Sequence, residues 1–131
     1  MTQSNFLDHL GLRETATGEG VYEMEMGIGP QHMAPNGFLH AGAVVSLADT
    51  ACGNGCFRRL PDGAAGFTTI ELKSNFLGTA REGVIRARAE AEHLGRTTQV
   101  WAASVIHVQT GKTIALFRCT QMVLWPRASR A

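Results

Sequence analysis

The second half of the chain alternates apolar and polar residues over long segments, and this pattern predicts a β-sheet. In the stretch VIRARAEAEH, charged residues at 86, 88, 90 and 92 interleave with isoleucine and alanine. Short turns that contain glycine separate the segments. Four long strands are therefore expected, at residues 67–77, 83–94, 97–109 and 113–125.

The first part of the chain predicts a short helix, a hairpin and a loop. A helix is expected at 3–10, with Ser4 as its cap and Gly11 as its stop signal. Strands at 12–18 and 20–28 then form a hairpin around Gly18-Glu19-Gly20. The following segment, GPQHMAPNG at 29–37, holds two glycines and two prolines and is expected to be a loop.

Residues 39–59, LHAGAVVSLADTACGNGCFRR, predict one long helix of unusual composition. A helix that is apolar nearly all round is expected to be buried. Its glycines at 42, 53 and 55 each cost up to about 1 kcal/mol relative to alanine inside a helix. Close packing or a ligand must offset that cost.

The order of these elements predicts an α+β fold in a single domain, 1–131. One flat sheet cannot cover a long helix that is apolar on all sides, so we expect a curved antiparallel sheet of about six strands wrapped around it. No internal repeat or linker interrupts the sequence, and the tail RASRA is expected to be frayed.

Composition narrows the class of protein. The 131 residues are 44% hydrophobic and 18% charged, which is typical of a globular domain. The formal net charge of +1 argues against nucleic acid or an acidic membrane as partner. No apolar run reaches about 18 residues, so no membrane span is expected. Three cysteines without a disulfide framework, and no visible signal peptide, favour a reducing cytoplasm.

Asp49 is the one formally charged residue between His40 and Phe57 on the predicted helix. A carboxylate among apolar residues is costly to bury unless it is paired, so its presence points to function. The alternative is an aspartate that faces solvent or caps a neighbouring element.

The start of the same helix offers a second candidate feature, at His40-Ala41-Gly42. Backbone N–H groups in a first helical turn have no partner within the helix and carry partial positive charge, which suits a phosphate or a developing oxyanion. Asp49 lies about 10 Å further along the axis, too far to act on the same atom. The sequence therefore predicts a site shared between subunits across a two-fold axis.

Other chemistries find little support. The histidines at 32, 40, 93 and 107 match no common zinc spacing, and His40 is more typical of a structural cap than of a base. Cys52 and Cys56 are either a metal pair or, as we expect, small buried apolar residues. The chain has neither a phosphate-binding glycine-rich loop nor a Gly-x-Ser-x-Gly elbow.

Three segments, HMAPNGFLHAGAVVSLAD, TTIELKSNFL and HLGRTTQ, resemble the hotdog-fold thioesterases of the phenylacetate-pathway (PaaI-like) branch. The resemblance covers about residues 6–125. It implies a long central helix wrapped by an antiparallel sheet, dimers that pair into tetramers, an acyl-CoA substrate and no metal. Coenzyme A is then part of the substrate, and no separate cofactor is expected.

The resemblance also implies roles for individual residues. Asp49 matches the catalytic carboxylate, Thr69 a hydroxyl that helps hold the nucleophilic water, and Ala41 or Gly42 the backbone N–H that polarises the carbonyl. His40 would support the helix start. Ala34 stands where the family usually has an asparagine or glutamine, and Asn36 is expected to take over that contact.

The substrate itself is expected to contact two groups of residues. An aryl or medium-chain acyl group is suggested by four apolar neighbours of the helix, namely Met33, Phe38, Leu39 and Phe57. The phosphates of coenzyme A are expected to meet three cations in turns, namely Arg81, Arg96 and Lys112. Each of these residues is equally compatible with an ordinary solvated surface charge.

Two other functions remain open on the same fold. An enoyl-CoA hydratase or dehydratase would need His32 or His40 to face Asp49. A non-catalytic acyl-CoA-binding module would fit the loss of the family's amide at Ala34.

Overall fold

The computed structural model describes residues 5–18 and 20–127, and within them a six-stranded antiparallel sheet packs on one long helix. The elements, in chain order, are α1 (Phe6–Leu10), β1 (Leu12–Gly18), β2 (Val21–Gly27), α2 (Ala41–Arg58), β3 (Gly66–Phe76), β4 (Val84–Leu94), β5 (Thr98–His107) and β6 (Thr113–Leu124). The strand order is β1-β2-β4-β5-β6-β3. This confirms the predicted α+β architecture.

The ends of the two helices differ from the prediction. Asn5 caps α1, because its side chain accepts the Asp8 N–H and the Asp8 carboxylate accepts the Asn5 N–H. Helix α2 begins at Ala41, two residues later than expected, because His40 is extended and serves as its cap. The predicted cap Ser4, the turn residue Glu19 and the end of the tail, 128–131, lie outside the described residues.

The expected loop before α2 has structure of its own. It contains a short 3-10 helix, Pro30–His32, in which proline occupies the first position. A single antiparallel bridge then pairs Met33 with Leu39. These contacts make the segment a defined entry to α2 rather than an open loop.

Helix α2 is covered on one side only, which corrects the expectation that it is buried all round. Its buried stripe faces the sheet and consists of Ala43, Val44, Leu47, Ala48, Ala51, Cys52, Gly55 and Cys56. Gly42 and Phe57 on the opposite side are exposed, as is Ala41 at the helix start, and Asp49 is half-buried. The small apolar residues on that side therefore have no cover within the described part of the chain. No helix among these residues is long and apolar enough to cross a membrane.

Two glycines of α2 have different reasons to be there. A Cβ on Gly55 would lie 2.5 Å from Cζ3 of Trp101 and 2.8 Å from Cδ2 of Tyr22. Trp101 is fully buried, so its ring has little room to move. A Cβ on Gly53 would lie 3.5 Å from Cζ of Phe67, an ordinary contact. Gly55 is thus required by close packing, whereas Gly53 is not.

These contacts predict opposite effects of the same substitution. Gly55→Ala should lower the free energy of unfolding by about 1–3 kcal/mol, because overpacking outweighs the gain in helix propensity. Gly53→Ala should leave it unchanged or raise it by up to about 1 kcal/mol. Urea unfolding followed by circular dichroism compares the two, and equal effects would contradict this account of the packing.

Candidate active site

The start of α2 is built by the side chain of His40. Its Nδ1 accepts the Gly42 N–H at 2.8 Å, and its carbonyl oxygen accepts the N–H groups of Ala43 and Val44. A Cβ on Gly42 would lie 3.0 Å from this Nδ1, so glycine keeps the ring close. Within residues 5–18 and 20–127, the Ala41 N–H is then the first-turn donor without an acceptor. Ala41, rather than Gly42, is free to meet a ligand oxygen.

The segment before α2 is held in place from two directions. His32 is buried, its Nδ1 accepts the Gly29 N–H at 2.9 Å, and its Nε2 lies 2.8 Å from the Leu10 carbonyl oxygen, to which it donates. The Leu39 N–H donates to Oγ1 of Thr79 at 3.0 Å. The helix start is therefore fixed to the end of α1 and to the connection between β3 and β4.

Asn36 lies at the exposed tip of this segment. Its Oδ1 accepts the Phe38 N–H at 3.2 Å, while the backbone of Ala34 pairs with Phe38 and Gly37. The amide oxygen of Asn36 thus closes a local turn. Its amide nitrogen is the group left to face a substrate.

Asp49 combines partial burial with an unsatisfied oxygen. Oδ1 is buried and has no hydrogen-bond partner in the described part of the chain. Desolvation raises the pKa of the Asp49 carboxyl above its ordinary value of 3.8. A carboxylate in this state is a stronger base than an exposed one, which suits it to accept a proton from water.

Thr69 lies on the face of β3 that looks towards Asp49. Gly53 of α2 faces the Phe67 ring, Asp49 lies one helical turn before Gly53, and Thr69 lies two residues after Phe67. The Thr69 hydroxyl donates to Oε1 of Gln121 at 2.6 Å. Gln121 was not predicted from the sequence, although a glutamine at an inward position of an alternating strand is a visible signal.

The expected substrate residues fall into two groups at opposite ends of α2. Four lie at its N-terminal end, namely Met33, Phe38, Leu39 and Arg81. The Arg81 guanidinium lies 5.7 Å from the centre of the Phe38 ring, and Lys112 lies beside Gly78 at this end.

The C-terminal end of α2 holds the remaining two, Phe57 and Arg96. The Phe57 side chain is exposed. Arg96 stacks 4.1 Å from the Trp125 ring, close to Gln99, which donates to the Arg59 carbonyl at the helix end. A helix of 18 residues is about 27 Å long, so one chain does not bring the two groups together.

The strand beside Asp49 is an exposed edge of the sheet. β3 pairs only with β6 among the described strands. Leu72 and Phe76, opposite the buried Cys119 and Ala115, point to the inner face, yet they are 44% and 46% exposed. Unpaired backbone and apolar side chains at an edge are typical of a surface that binds another strand.

The three cysteines of the chain lie together between α2 and β6. All are free and fully buried, as predicted for small apolar residues. The neighbouring Cys119 thiol and burial raise the pKa of Cys52, and burial raises the pKa of Cys56 to about 12. In the described ranges, no three His, Cys, Asp or Glu side chains are grouped to hold a metal ion.

The proteins that this chain resembles are thioesterases and a CoA thioester hydrolase. The model of the thioesterase superfamily matches residues 36–115. A 1,4-dihydroxy-2-naphthoyl-CoA hydrolase from Listeria monocytogenes is 29% identical, over 85% of this chain and 89% of the relative. A crystal structure of a thioesterase from Haemophilus influenzae is 30% identical, with a TM-score of 0.86 over 95% of this chain and 86% of the other. A thioesterase family protein from Silicibacter pomeroyi is 33% identical, with a TM-score of 0.84 over 94% and 91%.

The raised pKa of Asp49 predicts that Asp49→Asn stabilises the fold. The folded protein holds this proton more tightly than the unfolded chain, so stability falls as the pH rises from 3.8 through the raised pKa, and the full loss persists at higher pH. Asparagine removes that cost. Asp49→Asn should therefore unfold at a higher temperature than wild type at pH 7, and the difference should narrow towards pH 4.

Thermal unfolding at several pH values measures this difference. Asp62→Asn, in an exposed loop, is the matched control and should change little. If Asp49→Asn were less stable than wild type at neutral pH, the Asp49 carboxylate would have a stabilising partner in the folded protein, contrary to this account.

Proposed function

Because this chain belongs to the thioesterase superfamily and is a thioester hydrolase, we propose that it hydrolyses an acyl-CoA to the free acid and CoA. The hotdog fold expected from the sequence is the fold of these relatives, while the phenylacetate-pathway branch stays a prediction. The observation that carries the proposal is the Asp49 carboxylate, half-buried and with an unpaired oxygen, on a helix whose start is exposed.

In the proposed reaction Asp49 acts as general base. Its carboxylate accepts a proton from water as the water oxygen bonds to the thioester carbonyl carbon. The carbon–sulfur bond then breaks, the acid forms, and the CoA sulfur receives the proton from Asp49. Removing the proton during attack typically contributes about 10²–10⁴-fold to the rate.

The Ala41 N–H is proposed to stabilise the oxygen that becomes negative in this attack. It lies at the positive end of α2 and has no acceptor in the described chain. A preorganised backbone donor of this kind does not have to reorient when the charge develops. His40 contributes indirectly, because its cap on Gly42 holds the first turn in shape.

The site is proposed to form between two subunits. β3 runs back along α2, since Phe67 lies near Gly53 while Thr79 lies near Leu39. If two β3 strands pair antiparallel across a two-fold axis, the two copies of α2 are also antiparallel. The N-terminal end of one helix then approaches Asp49 and the C-terminal end of the other. A dimer, or a tetramer made of two such dimers, would unite what one chain separates.

This arrangement also brings the substrate residues together. The apolar group at the helix start, Met33, Phe38 and Leu39, would face Phe57 of the other copy, which suits an aryl or medium-chain acyl group. The Listeria relative is named for an aromatic acyl-CoA. Arg81 and Arg96 are proposed to meet the CoA phosphates, and Asn36 the thioester.

The hydratase alternative gains no support from the histidines. Both ring nitrogens of His32 are engaged by backbone groups, and Nδ1 of His40 caps α2. The proposed reaction needs neither a metal nor a separate cofactor. The buried free thiols fit the proposed location in a reducing cytoplasm.

Replacing the proposed base should sharply lower turnover. On a panel of aryl- and acyl-CoA substrates, Asp49→Ala should lower kcat by at least about 10²-fold, with release of free CoA thiol as the measurement. Asp62→Ala is the matched control and should keep wild-type rates. Full activity of Asp49→Ala would overturn the mechanism, and tight acyl-CoA binding by wild type without turnover would favour a binding module.

The Ala41 N–H can be removed without disturbing the helix. Proline is well tolerated at the first helical position, and the extended His40 (ψ 131°) suits a residue before proline. Ala41→Pro should lower kcat by about 10²–10³-fold with little change in melting temperature, whereas Ala41→Gly keeps the donor and should retain activity.

Mixing two inactive variants tests whether the site is shared. Ala41→Pro subunits keep Asp49, and Asp49→Ala subunits keep the Ala41 N–H, so mixed dimers should hold one intact site each. After unfolding and refolding together in equal amounts, about a quarter of wild-type activity is expected for random pairing. No recovery from well-folded mixed dimers would place both groups in the same chain's site.

A further inference from the structure

Gln121 is a fully buried amide in the part of β6 that lies under α2 and beside β3. Its inward-facing neighbours along the strand are Cys119 and Val123, both buried. A buried amide is costly unless it is hydrogen-bonded, and an apolar side chain of similar volume would fill the space at lower cost. The glutamine therefore calls for an explanation beyond packing.

The contacts of Gln121 point towards the Asp49 side of the helix. Its Oε1 accepts the Thr69 hydroxyl at 2.6 Å, and its Nε2 lies 3.5 Å from the Cys119 sulfur. Cys119 is buried in the same core cluster as Cys52, which lies three residues after Asp49 on α2. The amide is thus held with its oxygen towards Thr69.

This orientation decides what the Thr69 hydroxyl can do. A hydroxyl has one hydrogen to donate and two lone pairs that accept. With its hydrogen committed to Gln121, Thr69 presents only lone pairs to a ligand. Thr69 is exposed on the described chain, so these lone pairs are accessible on the face of β3 that looks towards α2.

We propose that Gln121 is a positioning residue that fixes Thr69 as a hydrogen-bond acceptor for the attacking water. The inference rests on the proposed function of Asp49. One hydrogen of the water is accepted by the Asp49 carboxylate and the other by Thr69 Oγ1, which aims a lone pair of the water at the carbonyl carbon. Without Gln121, the Thr69 hydroxyl is free to donate to the carboxylate, and it then competes with the water for the base.

Joining β3 to β6 does not require the Gln121 side chain. β3 is already joined to β6 by a ladder that runs from Gly66 to Phe76, so the side-chain bond is one contact among many. Gln99 supplies the comparison: it lies directly opposite Gln121 on β5 and is equally buried, but its amide binds Trp101 and the Arg59 carbonyl. Gln99 serves the fold and does not contact Thr69.

The test compares Gln121→Met with Gln99→Met in steady-state kinetics. Gln121→Met should lower kcat about tenfold or more while KM changes less than about twofold, because the water and not the substrate loses its orientation. Gln99→Met should lower the melting temperature and keep kcat. If Gln121→Met does not fold, Gln121→Asn keeps the amide but is too short to reach Thr69, and the same loss is expected.

Thr69→Val shows whether Gln121 acts through the hydroxyl. Adding Gln121→Met to Thr69→Val should cause no further loss of kcat, since both remove the same acceptor. The acidic limb of the pH profile of kcat/KM should move to lower pH in Gln121→Met, because a hydroxyl that donates to Asp49 favours its charged form. In the double variant the acidic limb should return to its wild-type position.

Independent losses from Thr69→Val and Gln121→Met, equal losses of kcat from Gln121→Met and Gln99→Met, or an unmoved acidic limb would each overturn the inference. Wild-type kinetics of Gln121→Met alongside an inactive Asp49→Ala would reject the positioning role alone. An active Asp49→Ala would reject the proposed function itself, so the two failures are distinguishable.

Discussion

The contact between Gly55 and the Trp101 ring fixes how closely α2 approaches the sheet, and the other parts of the candidate site depend on that distance. Only a glycine fits there, so the helix lies low on β5 and its buried stripe of small residues is in contact with the sheet along its length. At this depth Asp49 is neither fully solvated nor enclosed. A helix held further out would leave the carboxylate in water, where its pKa would be ordinary and its basicity would be no greater than that of any surface aspartate.

The cost of this placement is visible in the unsatisfied Oδ1 of Asp49. A fold selected for stability alone would pair the carboxylate or replace it, because an unpaired buried charge is among the more destabilising features of a protein interior. The segments around the helix are fixed by several contacts, namely the His40 cap, the two backbone bonds of His32 and the buried amides of β5 and β6.

The fold was predictable because its strands alternate clearly and its helix is long, whereas contacts between distant segments were not. The alternation around Arg88 located β4 to within a residue, and the lone charge at Asp49 was visible without coordinates. The one-sided burial of α2 was misread, because an all-round apolar sequence shows that a cover is needed but not whether the same chain provides it. Gln121 was missed for a related reason: its partner Thr69 is 52 residues away, and only the register of β3 on β6 brings them together.

The division of the site between the two ends of α2 follows from chain direction. β3 returns antiparallel along the helix after a short connection, so the groups at the helix start and those at its end are kept apart by the length of the helix itself. Ala41 and Asp49 belong to the same rigid helix, so no movement of side chains within one chain brings the Ala41 N–H to the Asp49 carboxylate. Asp49 lies near the middle of α2. In the proposed site the positive end of a helix approaches it, and this helix has to be a second α2 that runs in the opposite direction. In the proposed dimer, the exposed inner side chains of β3, Leu72 and Phe76, would be covered by the second copy, so the unpaired edge of the sheet is where the two-fold axis is proposed to lie.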